Sequence, residues 1–152
     1  MQLELVDIWH FALSMSLQES TDVQAIAQVL ANELQPNPVT DLPFAETLEA
    51  FVADVVAKRA FNVERFSQLL ALAELPFDEL FNRYVGKNVL NRFRQDHGYQ
   101  EGTYNKIWQG KEDNEHLAEI LDGAKHNPDN QQQSNFTDWL YQQLSDRYSN
   151  NI

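Results

Sequence analysis

Pro76-Phe77-Asp78-Glu79-Leu80-Phe81-Asn82-Arg83-Tyr84-Val85-Gly86-Lys87-Asn88-Val89-Leu90-Asn91-Arg92-Phe93-Arg94-Gln95-Asp96-His97-Gly98 reads as one long helix with both of its ends written in. Proline suits a helix start, because its missing N–H would be unpaired there anyway. Glycine suits the position just past the end, where the backbone turns left-handed. Lys87, Asn91 and Arg94 stand at i, i+4 and i+7 and share one stripe. Leu90 and Phe93 lie to one side of it, Phe81 and Tyr84 to the other. Lysine offers a point charge, asparagine a neutral donor and arginine a fork matched to phosphate oxygens. Together they suit a di- or triphosphate, although a solvated polar face has the same composition.

Outward from this segment the chain is helical almost throughout. Met1 to about Ser16 is apolar at helical spacing and starts without a cap. Thr21-Asp22 reads as the cap and first turn of a helix reaching Leu34, and Gln35-Pro36-Asn37-Pro38 as a breaker. Asp41 or Leu42 before Pro43 opens a helix with Phe44, Leu48, Phe51, Val52, Val55 and Val56 on one stripe. Asn62 caps the next, to about Leu75. Downstream, Tyr99 to Gly110 reads as a structured loop, followed by a short helix from Asp113 to Leu121 that stops at Gly123. Lys125 to Gln133 is polar and reads as a mobile stretch. Ser134 or Asn135 then caps a last helix with Phe136, Leu140 and Leu144 on one face, flanked by Trp139. No β-alternation and no internal repeat stand out. The expected architecture is all-α, a helix bundle forming a single domain over residues 1–152.

A second constellation lies in Glu4-Leu5-Val6-Asp7-Ile8-Trp9-His10-Phe11. At ~100° per residue, Glu4, Asp7, His10 and Phe11 fall within an arc of about 120°. The surrounding positions are apolar, as on a buried helix, so two desolvated carboxylates are expected there, in need of a partner. Carboxylates at i and i+3 project together and suit Mg²⁺. A narrow solvated face with His10 in a core hydrogen bond is the plainer alternative. Glu46 and Glu49 repeat the spacing within an ordinary amphipathic pattern and read as solvated surface. Gly98 to Trp108, rich in glycine and aromatics, suggests a loop closing over a ligand or one packed by its own rings. Glu112-Asp113-Asn114 reads as a capped helix start.

Composition narrows the class. The chain has 152 residues, 43% of them apolar and 22% charged, which is globular. It has no cysteine, so disulfides and thiolate metal sites are out, and a reducing, cytoplasmic setting is expected. With 11 basic and 23 acidic residues the formal charge is −12, which argues against broad nucleic-acid or anionic-membrane surfaces. A small anion remains possible where a divalent cation reverses the local field. The N-terminus carries Glu4 and Asp7 and no basic region, unlike a signal peptide. No apolar run approaches the ~18 residues of a membrane span.

The Glu4–Phe11 stretch resembles the ExxD-plus-His-Phe motif of the dimeric dUTPases, a family of all-α nucleoside triphosphate pyrophosphohydrolases. Gly86 to Tyr99, continuing through Gly102-Thr103-Tyr104 and Lys106 to Gly110-Lys111-Glu112-Asp113-Asn114, resembles that family's phosphate-binding segment. The resemblance implies hydrolysis of dUTP, and of dUDP, with Mg²⁺ as cofactor and a deoxyuridine nucleotide as substrate. Glu4 and Asp7 would be catalytic metal ligands. His10 and Phe11 would adjoin the sugar and base. Lys87, Asn91 and Arg94, with Tyr99 and Lys106, would hold the phosphates. A homodimer is implied too, and an uncapped apolar first helix asks independently for a covering neighbour.

The sequence departs from the family pattern at its start. An ExxE helix precedes ExxD in the family, whereas here ExxD begins at Glu4. Three readings stay open: a piece of a longer protein, a shortened relative, or Glu46 and Glu49 standing in. Function therefore also has two rivals, a sibling pyrophosphohydrolase with another base preference and an inactive nucleotide-binding or oligomerisation module.

Overall fold

A computed structural model describes residues 1–34, 38–125 and 135–149. The breaker at residues 35–37, the polar stretch after Lys125 and the Ser134 cap lie outside the described residues. The described chain is all-α apart from one small hairpin. It divides into two compact units, Met1–Leu80 and Phe81–Ile152.

The first unit holds α1 (Gln2–Glu19), α2 (Val23–Glu33), α3 (Phe44–Lys58), α4 (Val63–Leu72) and the start of α5 (Phe77–Asp96). Two expected caps are present. Asp22 accepts from the Ala25 amide and Asn62 from the Arg65 amide, each occupying an N–H that the helix leaves unpaired. Pro43 sits at the cap position of α3 rather than inside it. α4 ends where Glu74, at φ 52°, turns the chain: the Leu75 amide donates to Leu70 and the Glu74 amide to Ala71. The core is aromatic. Trp9 stacks on Phe66, centroids 5.6 Å apart and planes 9° from parallel, while Phe61 and Phe77 meet it edge-on.

α1 corrects the expectation of a helix buried all round. Leu5, Val6, Trp9 and Ala12 are buried, but Leu3, Phe11, Met15 and Leu17 are exposed. α3 likewise buries Thr47 and Phe51 and leaves Val52 and Val56 outside, while Asp54 accepts from Arg65 and Asn62.

The second unit holds the rest of α5, a hairpin of β1 (Ile107–Trp108) and β2 (Lys111–Glu112), α6 (Asp113–Lys125) and α7 (Phe136–Ser149). Its core gathers Leu90, Phe93, Trp108, Leu117, Leu140 and Leu144. α6 runs through Gly123 instead of stopping there. Gly86 lets α5 approach α6 closely, since a Cβ there would stand 3.0 Å from the Leu121 side chain. The hairpin was not anticipated. Gln109 (φ 51°) and Gly110 (φ 80°) both take positive φ, as in the two-residue turn whose twist suits paired strands. They place Trp108 opposite Lys111 and Ile107 opposite Glu112.

Candidate functional site

The basic stripe is built from the end of α5 outward. Gly98 (φ 85°) closes the helix with a Schellman motif: the Tyr99 amide donates to Arg94 and the Gly98 amide to Gln95. The Gly98 carbonyl then accepts from the Thr103 and Tyr104 amides, which folds the loop back on the helix end. Tyr99 is left exposed, with the Arg94 guanidinium 6.0 Å and the Lys106 ammonium 5.2 Å from its ring centre. Both lie at cation–π range.

The hairpin brings the chain back once more. The Asp113 amide donates to the Lys106 carbonyl at 2.9 Å, fixing the first residue of α6 beside the loop. Glu115 accepts from the Glu112 amide, which is half of a capping box and bears out the helix start read from Glu112-Asp113-Asn114. Asp113 itself does more than start the helix. It is buried, and Arg94 grips it with two donors, Nε to Oδ2 at 2.8 Å and Nη2 to Oδ1 at 2.7 Å. The Tyr104 hydroxyl donates to Oδ2 at 2.9 Å. Arg94 Nη1 donates to Asn91 Oδ1 at 3.3 Å.

The electrostatics follow from that geometry. Burial alone would raise the Asp113 pKa, but the Arg94 fork and the Tyr104 hydroxyl hold it below the ordinary carboxylate value. Burial works against the Arg94 charge, yet Asp113 outweighs it and the guanidinium is held more firmly protonated. Burial and the neighbouring Asp113 charge both push the Tyr104 phenol up, so it keeps its proton and remains a donor.

Four of the five expected phosphate binders, Asn91, Arg94, Tyr99 and Lys106, therefore meet in one cluster of the second unit. Lys87, half-buried, lies one turn before Asn91 on the same helix. Sequence reading missed two members, Asp113 and Tyr104. Both stand in the quoted motif, but no spacing rule links Arg94 to an acid 19 positions on.

The acidic constellation lies in the first unit on α1. Glu4 is exposed, which corrects the expectation of two desolvated carboxylates, and Asp7 and His10 are half-buried. Phe11 is 70% exposed, with the His10 ring 6.5 Å away and nearly perpendicular. Glu46 and Glu49 are exposed on α3, as expected of solvated surface. Among the described residues no group of three or more His, Asp or Glu side chains is arranged to hold a metal. Magnesium, however, is commonly held by one or two carboxylates together with substrate phosphates and waters, and an i, i+3 pair of carboxylates fits that donor set. No described helix is long and apolar enough to cross a membrane.

The family model described as dUTPase matches residues 1–99. The match takes in Glu4, Asp7, His10, Phe11, Lys87, Asn91, Arg94 and Tyr99, and stops before Lys106 and Asp113. No curated protein matches the chain.

Proposed function

From the chain's membership of the dUTPase family, an all-α family of dUTP-hydrolysing enzymes, we infer that this protein cleaves dUTP, and also dUDP, in a Mg²⁺-dependent reaction that yields dUMP, with pyrophosphate as the second product from dUTP. The observation that carries the reading is the cluster around Arg94, where cations and a neutral amide stand together in a chain of charge −12. Such a chain repels a polyphosphate at long range, so binding needs a local concentration of positive charge.

Lys87, Arg94 and Lys106 offset phosphate charge. Asn91, whose oxygen already accepts from Arg94, has its amide N–H₂ to donate. The Tyr99 ring, flanked by two cations, holds them in place when no phosphate is present. Glu4 and Asp7 hold Mg²⁺, and His10 and Phe11 adjoin the sugar and base. When bound, the metal supplies charge neutralisation at the phosphate oxygens and activates a water. The protein's own contribution is positioning and fixed charge. The working form is a homodimer.

The test is pyrophosphate release from dUTP, UTP and dCTP, with and without Mg²⁺. Mg²⁺-dependent release from dUTP alone is the expected result. Release from another triphosphate in preference would make the protein a sibling pyrophosphohydrolase, and no release from any would overturn the reading.

A further inference from the structure

We propose that Asp113 is the positioning residue of the phosphate site, presenting the end of the Arg94 guanidinium to a pyrophosphate group while touching no substrate itself. The inference rests on the reading of the Arg94 cluster as a phosphate site.

Donor bookkeeping carries it. A guanidinium has five N–H groups in one plane. Asp113 takes the side fork, one N–H from Nε and one from Nη2, and Asn91 takes one from Nη1. One N–H on each Nη is left, enough for a two-pronged contact with phosphate oxygens. Because the side fork is fixed at two points, the plane cannot rotate about the Arg94 stem.

Asp113 is suited to this and to little else. Oδ1 accepts from Arg94, and Oδ2 from both Arg94 and Tyr104. A buried carboxylate so engaged has no ready capacity for a metal ion. Its backbone is fixed independently, through the amide bond to Lys106 and the first turn of α6. Tyr104 is held in turn by stacking on Tyr148, 5.7 Å between centroids. The support reaches Arg94 through a neighbour that packing has already placed, as an orienting shell requires.

A buried pair also lowers the net positive charge at the site. The alternative is therefore that Asp113 only competes with phosphate for Arg94, and the two roles predict opposite signs. Positioning predicts that Asp113→Asn weakens pyrophosphate binding and raises the KM for dUTP about tenfold or more, the scale of one charge-assisted contact. Competition predicts tighter binding.

The experiment measures the Kd of inorganic pyrophosphate by calorimetry, and kcat and KM for dUTP, on the full chain. The variants are Asp113→Asn, Arg94→Ala and the double substitution. Near-ultraviolet circular dichroism reports the fold, and Tyr104→Phe, which removes only the hydroxyl, serves if Asp113→Asn does not fold. The expected result is non-additivity: with Arg94 already alanine, Asp113→Asn or Tyr104→Phe changes pyrophosphate affinity no further. An effect of equal size in both backgrounds shows a merely structural role and overturns the inference, as does tighter or unchanged binding in folded Asp113→Asn. If the parent turns over dUTP while that variant binds as the parent does, the positioning role falls and the function stands. If the parent releases nothing from dUTP yet binds pyrophosphate in an Asp113- and Arg94-dependent way, the function falls and the positioning role stands. Absence of both activities overturns both.

Discussion

Asp113 ties acidity to stability. Its carboxyl is held below the ordinary value in the folded chain, chiefly by Arg94 and Tyr104 acting against burial, whereas an unfolded aspartate titrates near pH ~3.9. Below that point the unfolded state binds the extra proton first. The stabilisation is therefore fully present above about pH 4 and is lost as pH falls through the folded value. Urea midpoints taken between about pH 5 and 2 should fall less steeply in Asp113→Asn than in the parent. The difference is bounded by one proton, about 1.4 kcal/mol per pH unit. Identical slopes would mean that the carboxyl is not held by Arg94. Gly98 makes a second residue-scale case. Its φ of 85° is costly for other residues, and a Cβ there would strike the Thr103 hydroxyl. Gly98→Ala should cost on the order of 1–3 kcal/mol and unseat Tyr99 and Tyr104, with loss of the Tyr104 and Tyr148 ring-current shifts as the sign. Gly98 as a helix end, and Arg94 and Asn91 as stripe partners, were legible in the sequence. The Arg94 partner was not, because an ion pair across a folded loop leaves no period to read.

At the scale of elements, ends were easier to read than faces. Asp22, Asn62 and Gly98 act locally, so their caps follow from neighbours in the chain. The buried faces of α1 and α3 depend on what packs against them, and there an even spread of apolar residues misled. Val52, Ala53 and Val56 lie exposed on the outer side of α3. The hairpin went unread for another reason: strands of two residues carry no alternation, and only the turn Gln109-Gly110 marks it. α6 likewise outran its expected stop, since Gly123 weakens a helix interior without ending it. The end of α4 offers a direct check. Glu74 occupies a left-handed position that glycine fills without a Cβ penalty. Glu74→Gly should raise stability by roughly 0.5–1 kcal/mol, read as a higher urea midpoint with an unchanged m-value. A fall would show that the Glu74 side chain contributes more than its backbone costs.

On the scale of the whole molecule, the all-α class was legible. The described residues form two compact units, each with its own aromatic core. Phe11, Met15 and Leu17 on α1, with Val52 and Val56 on α3, leave apolar side chains outside the first core. Such surface is compatible with the proposed homodimer. Light scattering at micromolar concentration should give twice the chain mass, and a monomer across that range would remove the dimer from the proposal.

The ring of contacts around Asp113 spans few positions along the chain: 3 between Asn91 and Arg94, 9 between Tyr104 and Asp113, 19 between Arg94 and Asp113. The bonds that bring in α7 span more, 31 from His116 to Arg147 and 45 from Asp96 to Tyr141. Closure entropy favours the span of 19 over that of 45 by only about 0.8 kcal/mol, a bias toward closing the shorter circuit first. In pulse-labelled refolding, the Asp113 amide should gain protection before those of Leu140 and Leu144. The proposed phosphate site would then be among the earliest parts to exist, a template on which α7 later condenses.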